Sequence, residues 1–256
     1  MNARLQVGRI FYAIGMIAFG VQHLVYGAFI TRIVPVLPAW IPGQKPLAYL
    51  CGVVLLFAGG AILAQVRVRE AALTLAAFAA ASVVLLYAPT LLANPYQPGV
   101  ITNMFKAVAF CGGALVLAMS ATPRALRSRG TVDRLFPIGR HLFASFLIVG
   151  GVQHFMYTKF VATLVPSWVP PNQIFWTYVA GAALIAGGTG IIVPLTTQLA
   201  ATLAGTMVLL WVPMLHIPRA LADLHNTNET TAVFEALAMS GIAFMIAGVA
   251  SRKSSS

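Results

Sequence analysis

Gly20-Val21-Gln22-His23 recurs without change as Gly151-Val152-Gln153-His154. The agreement continues on both sides of this tetrapeptide at one constant offset along the chain. A repeat of this length makes both halves the same structural unit, so the sequence predicts a duplicated fold. Further matches at the same offset are Gly8-Arg9 with Gly139-Arg140 and Val34-Pro35 with Val165-Pro166.

The correspondence resumes further along the chain after small changes in length. It divides the chain into a first four-helix repeat at 1–121, a basic linker at 122–134 and a second repeat at 135–256. The later matches are Trp40-Ile41-Pro42 with Trp168-Val169-Pro170, Ala58-Gly59-Gly60 with Ala186-Gly187-Gly188, and Val84–Pro89 with Val208–Pro213.

The composition indicates which solvent surrounds the chain. Hydrophobic residues make up 59% and charged residues 8%, whereas an ordinary soluble domain has roughly 25% charged residues. So few charges cannot cover the surface of a soluble protein of this size. The sequence therefore predicts an all-α integral membrane protein.

Eight apolar stretches have the roughly 17–25 residues that a helix needs to cross a bilayer. They lack the alternation of a membrane β-barrel strand, and lipid requires backbone groups to be bonded within the segment, so we expect helices. The stretches are Ile10–Ile30, Leu47–Val66, Ala71–Leu92, Ile101–Ala121, His141–Tyr157, Ile174–Pro194, Leu199–His216 and Thr231–Ala250.

The distribution of charge predicts the orientation. With eight spans, eleven of the 16 Lys and Arg residues share the side of the two termini, where only two acidic residues lie. Positive residues stay cytoplasmic, so we expect both termini in the cytoplasm of a bacterial inner membrane. The net charge of +11 is dispersed over short connections without a nucleic-acid-binding module, so no nucleic acid is expected as a partner. The segment Arg124–Arg140 is suited to contact anionic lipid headgroups.

Each half has an even number of spans, so both halves should lie the same way up in the membrane. The sequence therefore predicts a pseudo-twofold axis along the membrane normal. The long connections Val34–Pro46 and Val165–Pro171 fall on the outer side, and their Pro and Trp residues favour short re-entrant or interfacial segments.

Two copies of a Gln-His-x-x-Tyr motif are the main candidates for a functional site. Polar side chains within a bilayer need partners, so they face the protein interior and often mark function. The same side chains are equally suited to interhelical hydrogen bonds, which contribute about 0.6–2 kcal/mol each. The candidate ligand-binding residues are Gln22, His23, Tyr26, Gln153, His154 and Tyr157.

Haem is disfavoured as a cofactor. Axial ligation by His23 and His154 would satisfy the iron, but no second histidine pair supports a cytochrome-like arrangement. Cys51 and Cys111 form no CxxC motif. We expect buried thiols there, and a disulfide between helices of the first half remains an alternative.

The outer connection after the seventh stretch differs from its counterpart after the third stretch, which favours the second half as the working site. Here His216 and Glu235 add to the candidate ligand-binding residues; aligned positions in the first half are Leu92 and Lys106. Glu235 and Lys106 are alternatively expected to form an ion pair, because an ionisable group at this depth needs a partner. No metal is expected, although His, Asp and Glu can bind one; the candidates would be His216, Asp223, His225 and Glu229.

Together these segments resemble the DoxX-like membrane proteins of bacteria, once in each half. The resemblance rests on Gly-Val-Gln-His-x-x-Tyr, on Val-Pro followed by Trp-Ile/Val-Pro, and on a third segment in the second half. The third segment is His216–Ala222, Asn226–Glu229 and Phe234–Ala238. The resemblance implies a four-helix unit and a loose association with redox proteins, including quinone-linked thiosulfate oxidation.

Two functions of different class follow. The first is a redox-linked protein that binds a quinone or similar lipid in an outer-leaflet pocket formed by the two motifs. The second is a non-catalytic accessory subunit that packs against other membrane proteins in a larger complex. Whether the chain is an enzyme stays open, and membrane lipids are expected partners in both cases.

Overall fold

The structure is a computed structural model that describes residues 2–35, 37, 41–123 and 132–253, with side chains up to Ser251. These residues form helices and no strand. Eight helices are long and apolar enough to cross a membrane, which confirms the predicted number of spans and indicates a membrane protein. They are α1 (Ala3–Tyr26), α2 (Gln44–Leu63), α3 (Val68–Ala93), α4 (Pro98–Ala121), α5 (Leu135–Met156), α6 (Gln173–Ile192), α7 (Thr197–Ala222) and α8 (Thr227–Lys253).

Local sequence signals explain several helix ends. The Asn2 side chain accepts a hydrogen bond from the Arg4 N–H at the start of α1, and Asn172 does the same for Phe175 at the start of α6. Gly27 ends α1 in the left-handed conformation, with φ of 59°. Pro98 occupies the first turn of α4, where a missing N–H costs nothing.

Both α3 and α7 contain one π-helical turn, at Val83–Tyr87 and Val212–His216. A proline follows two residues after each turn, Pro89 and Pro218. Proline removes a helical hydrogen bond, and a local π adjustment lets the neighbouring backbone groups find other partners within the membrane.

These turns correct two sequence predictions. His216 is helical and does not lie in the outer connection, because α7 continues to Ala222. The position in α3 that matches His216 is Tyr87, the last residue of its own π turn, and not Leu92. The predicted match of Val84–Pro89 with Val208–Pro213 is therefore out of register with the helices.

The helices form a closed ring in which each packs against the next, and α8 closes on α1. The last helices of the two halves, α4 and α8, also contact each other, and they are the most buried helices. The Asn2 Nδ2 donates to Ser251 Oγ at 2.7 Å. Both ends of the described chain therefore lie at the same end of the bundle, which we call the terminal end.

Glycines allow the first helix of each half to approach the last helix of the other half. A Cβ built at Gly8 would lie 2.4 Å from the carbonyl oxygen of Gly241, and one at Gly139 would lie 2.5 Å from that of Gly112. Side chains larger than hydrogen would push these helices apart, as in other membrane helix pairs with small residues at the contact.

Other predictions are corrected or fall outside the described residues. Gly59 packs on the backbone of Ala13 and Gly188 on that of Ala144, so Gly59 matches Gly188 and not Gly187. Cys51 and Cys111 are free thiols, which excludes the disulfide alternative. Trp40 and most of the linker 122–134 lie outside the described residues.

Candidate functional site

A cluster of three charged side chains lies near the end of the bundle opposite the termini, which we call the distal end. Glu235 on α8 accepts hydrogen bonds from Lys106 Nζ on α4, at 3.0 and 3.2 Å. The same carboxylate accepts from Arg32 Nε and Nη2, at 2.9 and 2.5 Å. The ion pair of Lys106 with Glu235 that the sequence suggested is therefore present. The side chain of Glu235 is only 5% exposed.

Arg32 belongs to the connection between α1 and α2, and this connection is attached to three helices. The Asn103 side chain on α4 donates to the Thr31 carbonyl at 3.3 Å and accepts from Lys106 at 3.2 Å. Tyr87 on α3 donates its hydroxyl hydrogen to the Ile33 carbonyl. Together with the pairing of Arg32 to Glu235, these bonds fasten the connection over the first half.

A second ion pair holds the connection between α7 and α8. Arg219 Nε donates to Glu229 Oε2 at 2.9 Å and Nη2 donates to Oε1 at 2.6 Å, the two-pronged geometry typical of arginine and carboxylate. His216 lies close enough to interact electrostatically with Glu235 and Arg32 on one side and with Arg219 and Glu229 on the other. Within the described part of the chain, the candidate metal ligands His216, Asp223, His225 and Glu229 do not form a group that could hold a metal. Among the described residues no group of three His, Cys, Asp or Glu side chains could hold a metal.

The two motif glutamines join the halves of the protein. Gln22 on α1 accepts from Thr231 on α8 at 3.1 Å and donates to Thr230 at 3.2 Å. Gln153 on α5 accepts from Thr102 on α4 at 2.8 Å. The alternative of interhelical hydrogen bonding therefore describes what both glutamines do in the structure.

The two motif histidines differ in their surroundings. His23 is fully buried, and its Nδ1 donates to the Phe19 carbonyl at 2.8 Å while Nε2 accepts from the Ile30 N–H at 3.4 Å. Both ring nitrogens are therefore used, and neither is free for a haem iron. His154 donates from Nδ1 to the Gly150 carbonyl at 2.7 Å and stacks on Trp211, and the described residues provide no bond for its Nε2.

The motif tyrosines do not meet the charged cluster. Tyr26 is half exposed at the end of α1, and Tyr157 is partly buried where α5 ends. The structure therefore brings His216 near Glu235 but gives Gln153, His154 and Tyr157 other neighbours. Sequence reasoning missed Arg32, although its charge in an outer connection was visible, and it also missed Thr102 and Thr231, which no motif marks.

The second half carries an open groove at the distal end. Its volume is about 340 Å³, and its walls are residues 163–168, Gln173 at the start of α6, and Met214, Leu215, Pro218, Arg219 and Ala222 on α7. Arg219 lines it together with apolar side chains such as Leu164 and Leu215. A small cavity of about 20 Å³ lies in the core of the first half, where Tyr12 and Phe110 are among its lining residues.

A family model described as a domain of unknown function (DUF8561) matches residues 143–240, which is most of the second half. No curated protein matches the chain. No solved structure matches it either.

Proposed function

We propose that this chain is a DoxX-like protein of the bacterial inner membrane that binds a quinone or a similar isoprenoid lipid in the distal groove of its second half. The groove carries the proposal. Its volume of about 340 Å³ falls within the roughly 300–1,000 Å³ that small-molecule sites occupy. Its mixture of apolar walls with Arg219, Ser167 and Gln173 suits a ligand that has a polar head and an apolar body.

The asymmetry between the connections explains why the second half would be the working half. In the first half Arg32 reaches across to Glu235 and fastens the connection after α1. The constant offset of the repeat places Thr163 at the corresponding position of the second half. Threonine is too short and carries no charge, so it cannot make the ion pair that Arg32 makes, and Thr163 lines the groove instead. The second connection is held by Gln173 on α6, whose side chain donates to the Val165 carbonyl at 2.6 Å.

A pseudo-twofold arrangement of two tandem repeats is the architecture that we propose for this site. Reciprocal contacts support it. Gln22 bonds to Thr231 of the other half, as Gln153 bonds to Thr102. The glycine contacts are reciprocal in the same way, because α1 meets α8 as α5 meets α4.

The orientation with cytoplasmic termini belongs to the same proposal and is supported by the charge distribution. It would place the groove in the outer leaflet, where a lipid-soluble ligand can enter sideways from the membrane. The resemblance to DoxX-like proteins implies a link to redox chemistry. A quinone is redox-active and also has the polar head and apolar body that suit the groove.

The test is to fill the groove and measure what the purified protein retains. Ala222 is exposed and lines the groove, so Ala222→Trp should displace a ligand without disturbing the core. The matched control is Ala93→Trp, which alters the exposed last residue of α3 in the first half. Both proteins are purified in mild detergent, and their lipid extracts are compared by mass spectrometry with that of the unaltered protein.

We expect an isoprenoid quinone or related lipid in the unaltered protein and in Ala93→Trp, and its loss from Ala222→Trp. Equal retention of the lipid by Ala222→Trp and Ala93→Trp would show that the ligand does not bind in the groove. Preparations without any such lipid that still assemble with other membrane proteins would favour the accessory-subunit function instead.

A further inference from the structure

Two arginines at the terminal end form no ion pair with a carboxylate among the described residues. Arg9 on α1 is 5% exposed, and Arg140 on α5 is partly buried. The Nε of each is buried and has no hydrogen-bond partner among the described residues. Buried charges are costly unless they are paired, so two such arginines in one membrane protein require an explanation.

The arginines come from the repeated Gly-Arg dipeptide, so the feature occurs once in each half. The adjacent glycines, Gly8 and Gly139, are the ones that bring the helices into close contact. Backbone packing therefore fixes where each arginine side chain starts, and a buried Nε without a hydrogen-bond partner among the described residues appears in both halves.

The surroundings of Arg140 show which charge is missing. Its Nη1 donates to Thr197 Oγ1 at 2.8 Å, and Thr197 is the first residue of α7. No side chain caps this helix start and its first turn contains no acidic residue. The start of a helix carries partial positive charge, so a guanidinium there faces charge of its own sign. An anion bound beside this contact would stabilise both the guanidinium and the helix start.

The depth of the arginines indicates the kind of anion. Arg9 lies six residues into α1, which is about 9 Å from the helix start. Helical side chains lean towards the helix start, and a long arginine can extend its charge to the membrane surface while its stem stays in the apolar region. That is the level at which phospholipid phosphates lie.

We propose that Arg9 and Arg140 each bind the phosphate of an anionic phospholipid at the terminal end of the bundle. A guanidinium matches phosphate through two parallel hydrogen bonds. Basic positions between membrane helices on the cytoplasmic side recognise such headgroups in general. The two sites are separate from the distal groove and do not depend on its ligand.

The experiment is native mass spectrometry of the full-length protein in detergent, titrated with phosphatidylglycerol or with diacylglycerol of the same acyl chains. We expect two tightly bound phosphatidylglycerol molecules and no comparable binding of diacylglycerol, which lacks the phosphate. Arg9→Gln and Arg140→Gln should each remove one bound lipid, and the double variant should remove both. The matched controls are Arg4→Gln and Arg134→Gln, which remove exposed charges near the same helix starts.

Charge-preserving variants guard against loss of folding. Arg9→Lys and Arg140→Lys keep the charge but lose the two-pronged geometry, so each should weaken binding at its site by about tenfold. Equal lipid binding by all variants, or equal loss in the controls, would overturn the proposal. Complete displacement of the lipid by inorganic phosphate at millimolar concentration would assign the sites to free phosphate and overturn the lipid assignment.

Discussion

Lys106 Nζ lies 3.0 Å from Glu235 Oε2, and the two residues come from the two central helices, α4 and α8. The pair thus ties the halves of the protein together where both side chains are almost fully buried. Arg32 joins the same carboxylate, so one anion balances two cations. The cluster therefore holds the two halves together electrostatically, and the loss of its single carboxylate should differ in effect from the loss of either cation.

Removal of the carboxylate should be the most damaging change in this cluster. Glu235→Gln leaves Lys106 and Arg32 facing each other without a counter-charge. Breaking a buried ion pair from one side typically costs about 3–5 kcal/mol, and we expect a loss of that size in the free energy of unfolding, measured in detergent.

The control for Glu235→Gln is Glu229→Gln. It breaks the ion pair of Glu229 with Arg219. The side chain of Arg219 is 33% exposed and that of Glu229 is 20% exposed, so we expect a cost of only about 0–1 kcal/mol in the free energy of unfolding. Equal costs in the two variants would show that the Glu235 cluster is hydrated and contributes little to stability.

Two adjacent glycines provide a test of the helix packing. A Cβ at Gly151 would lie 2.6 Å from the Gly181 carbonyl oxygen, whereas one at Gly150 has no atom within 4 Å. Gly151→Ala should therefore cost about 1–3 kcal/mol through overpacking, and Gly150→Ala should leave the unfolding temperature unchanged or raise it. Similar melting of both variants would contradict the close approach of α5 and α6.

The sequence predicted the eight helices well because composition decides them. Segments of this length and hydropathy have only one stable form in lipid, whatever surrounds them. The pairing of Lys106 with Glu235 was also predictable, because an intramembrane charge needs a partner and the repeat placed opposite charges at matching positions.

Register was less predictable, as the misplacement of His216 shows. The match of Val84–Pro89 with Val208–Pro213 is good letter by letter, yet the helices align one π turn with the other. Apolar residues in lipid are nearly interchangeable, so similar letters within a span carry little information about position. Pro89 and Pro218, which each follow a π turn by two residues, carried that information, but Pro213 lies inside the second turn and matches Pro89 equally well letter by letter.

The partners of polar side chains were the least predictable part. Arg32 reaches Glu235 from a connection whose path depends on Asn103 and Tyr87. Gln22 and Gln153 find threonines of the other half because helix packing brings them there. A one-dimensional pattern shows that such groups need partners but does not show which ones they meet.

The glutamine contacts can be measured with a double-mutant cycle. Gln153→Leu and Thr102→Val each remove one side of the hydrogen bond across α5 and α4. We expect a coupling energy of about 0.6–2 kcal/mol between them in unfolding measurements. A coupling near zero would mean that the two side chains act independently and that Gln153 serves another purpose.

Labelling of single cysteines tests the proposed orientation. Asn226→Cys and Asp133→Cys are introduced separately into a variant in which Cys51 and Cys111 are replaced by serine. Asn226 lies in the distal connection between α7 and α8, and Asp133 is exposed at the terminal end. An impermeant thiol reagent on intact cells should label the cysteine at 226 and not the one at 133, because positive connections remain cytoplasmic. Labelling of the cysteine at 133 and not the one at 226 would show that the termini face the outside of the cell.

The two motif histidines should respond differently to substitution. His23 is fully buried with both ring nitrogens bonded, so His23→Ala should act through stability alone and lower the unfolding temperature. His154 does not line the groove but lies in the same half, and its Nε2 has no partner among the described residues and is available to a ligand that extends beyond the groove. His154→Ala should therefore lower the amount of lipid or quinone that co-purifies, with a smaller effect on unfolding.

Mass spectrometry of the lipid extract, measured beside unfolding temperature, separates the two effects for each histidine variant. Trp211→Leu is the matched variant, because it removes the ring on which His154 stacks while keeping the imidazole. Trp211→Leu should reduce ligand occupancy in part if the stack positions the imidazole. Equal ligand loss in His23→Ala and His154→Ala would indicate one shared site between the halves, because only a common site depends on both histidines.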